Sequence, residues 1–163
     1  MSKGPTFPLF RIVAVLFMLT IVGALCLAFG LSYNLIVTLS FIPAIIFGYL
    51  GLTLMVIAVV IRALALMEIR SKIRIGHLVT SGIYSRTRNP TYLSFVLFIL
   101  GIAIYFNTLV GYAWVLISCI SFYLVAKAEE KDLERAFGKD YARYKKRVPL
   151  FLGRSHRSID KND

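Results

Sequence analysis

From Ile12 to Ile61 the chain carries no Asp, Glu, Lys or Arg, and from Thr91 to Ala126 it again carries none. Uncharged runs of this length restrict folding more than any other property of the sequence. About 20 helical residues, rising 1.5 Å each, cross a hydrocarbon core of roughly 30 Å. Inside that core only the chain itself can satisfy its backbone N–H and C=O groups, so such runs are helical. Each run has length for two crossings. The expected fold is therefore all-α: a polytopic membrane protein with about four transmembrane helices and a C-terminal cytoplasmic amphipathic helical segment, in a single domain over residues 1–163.

Turn chemistry sets the expected boundaries. The spans fall at about residues 9–31, 36–66, 90–106 and 109–125. Pro5 and Pro8 precede the first, and Ser32-Tyr33-Asn34 turns the chain outside. Pro43 kinks the second span or marks a late start. Arg62 near its end can snorkel, with its stem in lipid and its head at the interface. Asn89 suits an N-cap and Pro90 the first helical position, so the third span starts sharply. Asn107 and Thr108 join it to the fourth. Past residue 125 the helix is expected to run on through Lys127–Phe137, break at Gly138, and resume to about Lys146 before Pro149. Leu133, Phe137, Tyr141, Tyr144 and Val148 recur at helical spacing, opposite Lys131, Asp132, Arg135, Lys139 and Arg143. Such a segment lies on the membrane surface or closes over the inner loop. Residues 155–163 read as a frayed polar tail.

The formal charge of +11 is unevenly placed. Lys3 and Arg11 precede the first run, six basic residues from Arg62 to Arg88 follow it, and eleven lie from Lys127 onward. The connections near residues 31–40 and 106–111 have none. Basic loops stay in the cytoplasm, which predicts an integral, multi-pass protein with both termini cytoplasmic. The same residues can meet anionic headgroups. No nucleic-acid module accompanies the charge, so nucleic acid is excluded as a partner. Cys26 and Cys119 fall inside apolar runs and read as small buried hydrophobes. No Cys/His spacing for a metal exists. The first apolar run is too long for a signal peptide.

Two polar segments carry the candidate chemistry. The first runs from Leu78, Val79, Gly82 and Tyr84 to Arg88, Asn89, Pro90 and Tyr92. The second holds Glu129 and Glu130, then Phe137-Gly138, then Tyr141, Tyr144, Lys145, Arg147, Val148 and Pro149. Taken singly these are a helix start, a solvated acidic face and interfacial tyrosines. Together, in order, on either side of a helical hairpin, they resemble the isoprenylcysteine carboxyl methyltransferase and phospholipid methyltransferase superfamily. The matching stretch is roughly Arg62 to Pro149; the first two spans match only in being apolar.

The resemblance implies an S-adenosylmethionine-dependent methyltransferase acting on a lipophilic acceptor, a prenylcysteine-like carboxylate or a lipid amine. The cofactor is expected between the segments 76–92 and 127–149, touching Leu78, Val79, Gly82, Tyr84, Asn89, Pro90, Tyr92, Glu129 and Glu130. The chemistry agrees. Carboxylates accept from ribose hydroxyls and favour a sulfonium, and a helix start offers N–H groups to a carboxylate. Gly82 permits close backbone approach, and Tyr92 can set a ring against the cofactor. Arg88 is expected to orient an acceptor carboxylate, and Glu130 or a tyrosine to take a proton from an amine. Tyr141, Tyr144 and Arg147 are expected on the acceptor. Asn89 stands where many members have His and cannot titrate. Gly76 stands where members often have His, with His77 displaced by one; Ser94 follows Tyr92 by two. A later family proline is missing after Pro149. Two other readings compete: an NADPH-dependent membrane reductase, with the basic loop holding a phosphate, and a non-catalytic four-helix module.

Overall fold

The computed structural model describes Gly23, residues 44–73 and residues 78–151. The expected first span, the outer turn after it, Cys26, Gly76, His77 and the polar tail lie outside the described residues. Among those described, the chain is all helical, with no strand. Three helices follow one another: α1 (Ala44–Ile73), α2 (Pro90–Phe106) and α3 (Leu109–Arg147), with a short 3-10 turn at Gly82–Ser85 between the first two. Two stretches, Ile45–Arg70 and Leu109–Arg147, are long and apolar enough to cross a membrane; Pro90–Phe106 is apolar but shorter.

The boundaries agree with turn chemistry at α2 and α3 and differ at α1. That helix is described from directly after Pro43 and continues to Ile73, seven residues past the expected end at Leu66. Its extension is polar, Glu68 to Lys72, and good helix formers carry it on. At α2, Pro90 is the first helical residue, as expected. Asn89 does not cap through its side chain, however. Its carbonyl accepts from Leu93 N (3.0 Å), and its own N–H donates to Thr87 Oγ1 at 3.3 Å.

Residues 44–56 and 96–125 belong to one compact unit, and residues 57–73, 78–95 and 126–151 to another. In the first, α1 and α2 meet at glycines. A Cβ on Gly51 would stand 2.6 Å from the Gly101 carbonyl oxygen, so only two bare backbones fit there. Asn107, at φ 48°, turns α2 into α3. Its left-handed conformation is one that Asn tolerates. The Gly111 N–H then donates to Thr108 Oγ1 at 3.1 Å, and the Tyr112 hydroxyl donates to Asn107 Oδ1 at 3.2 Å. A threonine cap of this kind stabilises by about 1 kcal/mol. Ile45, Leu50 and Leu52 on α1 and Leu116, Ile120 and Leu124 on α3 are exposed. A face this apolar matches hydrocarbon rather than water.

In the second unit, α3 carries its charge-bearing half. The helix runs over 39 residues from Leu109 to Arg147. Only the portion up to Ala126 is uncharged. Gly138 has φ 51° and ψ −122°, a conformation open to glycine, and there the helix kinks. The kink lets the last turns fold back. Tyr141, Tyr144 and Val148 become buried, with Leu78, Leu133 and Phe137 packed against them. The apolar stripe thus closes over the loop rather than facing lipid.

Candidate functional site

Three hydrogen bonds and one ion pair join the terminal arm to the loop before α2. The Tyr144 hydroxyl donates to the Tyr84 carbonyl at 2.6 Å. Arg88 N donates to the Pro149 carbonyl at 3.0 Å, and Thr87 Oγ1 to the Leu150 carbonyl at 3.1 Å. Arg88 also donates from Nη1 to Glu130, a salt bridge whose side chains are 7% and 4% exposed. Residues some 40 to 60 apart in sequence meet here, bringing the two motif segments together.

The two glutamates, one residue apart on α3, face different surroundings. Glu130 accepts from Arg88 and from Lys127 (3.0 Å), with Lys145 at 3.4 Å. Burial by itself would raise its pKa, but the Lys127 hydrogen bond and the Arg88, Lys145 and Lys127 charges outweigh it and hold the carboxyl below the usual range. Glu129 is half-buried, forms no ion pair among the described residues, and lies beside the Tyr92 hydroxyl. Burial, with a smaller contribution from Asp132, raises its pKa against the lowering effect of Tyr92. The pair thus divides into a neutralised carboxylate and one without a counter-charge among the described residues.

Around Glu129 stand Tyr84 and Tyr92, both buried. Burial pushes the Tyr84 hydroxyl up to about 12, with Arg62 opposing and Glu129 and Glu68 assisting. Tyr84 is therefore a neutral donor at physiological pH. It is set in place by the 3-10 turn, whose Gly82 has φ 56°. The Glu68 carboxylate occupies the space a Cβ on Gly82 would take, and Ser81 Oγ donates to Glu68 Oε2 at 3.1 Å.

Several expectations change. Arg88, expected to hold an acceptor carboxylate, pairs with Glu130, and Glu130, expected to take a proton, has its proton affinity suppressed. Tyr141 and Tyr144, expected on the acceptor, are packed in the arm's core, with the Tyr141 hydroxyl beside Arg88. Arg147 is exposed. Leu78 packs against that core, Val79 is half-buried next to it, and Pro90 is fully buried. The close approach at Gly82 is made by Glu68. Asn89 is half-buried, and its side chain makes no hydrogen bond among the described residues.

Two residues outside the motifs join the cluster. Glu68 gave no local signal in the sequence. Arg62 was legible as the charge that ends the first uncharged run; it is half-buried, with its guanidinium 4.4 Å from the centre of the Phe95 ring. Among the described residues no group of three or more His, Cys, Asp and Glu side chains could hold a metal ion.

The donor set fits S-adenosylmethionine: a half-buried carboxylate without a counter-charge among the described residues, two buried phenols and a helix start. No curated protein matches the chain. The sequence pattern of one family does match, over residues 18–140, a stretch that contains both glutamates and the whole loop from Leu78 to Tyr92. The chain belongs to the phospholipid methyltransferase family, a family of membrane methyltransferases.

Proposed function

We propose that this protein transfers a methyl group from S-adenosylmethionine to a lipophilic acceptor, an apolar carboxylate or a lipid amine, at the inner face of a membrane. The observation that carries the reading is Glu129, a half-buried carboxylate beside Tyr92 with no cation paired to it among the described residues. When bound, the cofactor supplies an electrophilic methyl on a cationic sulfonium. Glu129 then provides the missing opposite charge and accepts from ribose hydroxyls. Tyr92 and Tyr84 wall the site, and their burial keeps water from competing. Displacement at an activated methyl needs mainly alignment, which a rigid wall supplies.

The rest of the expected set divides by role. Arg88 and Glu130 brace the arm against the loop, and Tyr141 and Tyr144 seat it. Leu78, Val79, Gly82, Asn89 and Pro90 fix the backbone at the start of α2. An amine acceptor must lose a proton. Glu129, held up by burial, takes it better than Glu130, whose proton affinity three cations suppress. The acceptor enters from lipid and the cofactor from the cytosol. The full topology in this reading has four spans, both termini and the arm cytoplasmic, as the basic residues require.

Calorimetry of S-adenosylhomocysteine binding to the purified full chain tests the proposal. Binding is expected in the native protein, and Glu129→Gln should weaken it at least tenfold. Absence of binding by a folded native chain overturns it. Methyl transfer from radiolabelled cofactor into a lipid extract then selects between acid and amine acceptors, because the methyl ester is cleaved by base and the methylamine is not.

A further inference from the structure

Arg62 is the single charged side chain between Ala44 and Met67 of α1. An ionised group within an apolar helix is costly and is retained where something uses it. Its Nη1 is buried and has no hydrogen-bond partner among the described residues, and it forms no ion pair among them. The ionisable groups beside it are the hydroxyls of Tyr84 and Tyr92. Phe95 covers one face of the guanidinium. A ring face does not replace the water that the buried Nη1 has lost. The planar N–H fork of arginine matches a carboxylate or phosphate, two oxygens to two donors.

We propose that Arg62 binds an oxyanion, a carboxylate or phosphate group, in the space bounded by Phe95, Tyr84 and Tyr92. Phe95 fixes the plane of the fork, and the Tyr84 and Tyr92 rings stand beside it. Two sources present such a group: the amino-acid carboxylate of the S-adenosyl donor and the acidic headgroup of a lipid acceptor. Only the choice between these sources rests on the proposed methyl transfer.

Two probes separate them, applied to the full chain in a phosphate-free sugar detergent. One is S-adenosylhomocysteine against its decarboxylated analogue, by calorimetry. The other is the rise in thermal midpoint on adding phosphatidic acid to the micelles. If the cofactor is the source, Arg62→Met loses at least tenfold in S-adenosylhomocysteine affinity and binds the decarboxylated analogue as the native chain does. If the lipid is the source, S-adenosylhomocysteine affinity is unchanged and the phosphatidic-acid shift disappears in Arg62→Met. Arg62→Lys keeps a charge over Phe95 and serves where the Met variant does not fold; a several-fold loss toward one probe is expected. Native-like responses to both probes in a folded variant overturn the proposal. A native chain that binds neither S-adenosyl compound defeats the methyl-transfer reading instead, and the phosphatidic-acid arm alone then decides Arg62.

Discussion

Glu130 sits with its side chain 4% exposed between Arg88, Lys127 and Lys145. Removing one member of a buried pair leaves the other charge without compensation, at about 3 kcal/mol. Glu130→Gln should therefore lower the free energy of unfolding in mixed micelles by about 3 kcal/mol. Because its folded pKa lies below the unfolded value, Glu130 contributes stability that is complete above pH 4.5 and lost as pH falls through the lower folded value. Glu129 has the opposite sign. Its folded pKa is raised, so it costs stability as pH rises from 4.5 through the folded value. Glu129→Gln should remove that penalty, leaving stability at neutral pH equal or higher while cofactor binding falls. Unfolding curves at pH 4 and pH 7 for both variants check the two signs. A residue held at a cost to the fold is what a site needs, and the contrast is invisible in the dipeptide itself.

The arm is an element built on the backbone dihedrals of one residue, Gly138. Gly138 adopts a conformation that a Cβ strains by about 1–3 kcal/mol, and nothing stands within 4 Å of the position a Cβ would take. Gly138→Ala should thus act through the backbone alone, favouring a straight α3 and pulling Tyr141, Tyr144 and Val148 off the loop. Faster tryptic cleavage after Lys139 and Arg143 is the expected readout, with unchanged cleavage counting against it. Tyr144→Phe is a milder test of the same contact. It removes the 2.6 Å bond to the Tyr84 carbonyl, at about 1 kcal/mol. The helix break was legible because glycine between two amphipathic stretches interrupts helical propensity. Its consequence was not: the stripe Leu133 to Val148 is equally suited to a membrane surface or to a loop, and periodicity does not name the surface it meets.

At the scale of the whole molecule, the basic residues predict orientation. In a variant whose Cys26 and Cys119 are replaced by Ser, a cysteine at Lys146 should be shielded from a membrane-impermeant maleimide in intact cells and labelled after lysis. A cysteine at Phe106, the exposed last residue of α2, should label without lysis. The reverse pattern would invert the proposed topology. The uncharged runs made the helical class readable, since lipid leaves a backbone few alternatives. Charge gave no comparable hold on the roles of Arg88 and Arg62, because a basic residue at a membrane boundary reads as a topology signal whether or not it has a partner.

Composition and spacing by themselves determined that the described residues are helical, where α2 begins and that Gly138 breaks α3, and the order of the motif residues carried the resemblance to the family. These are local properties, fixed by desolvation of the backbone, by proline and glycine, and by side-chain order along the chain. Tertiary structure alone decided the partners: Arg88 with Glu130, Tyr144 with the Tyr84 carbonyl, Glu68 against Gly82, and Arg62 with Phe95. Each pair joins residues 14 to 60 apart in sequence. Whether a charge is neutralised or left without a counterion depends on which of those residues packing brings within reach.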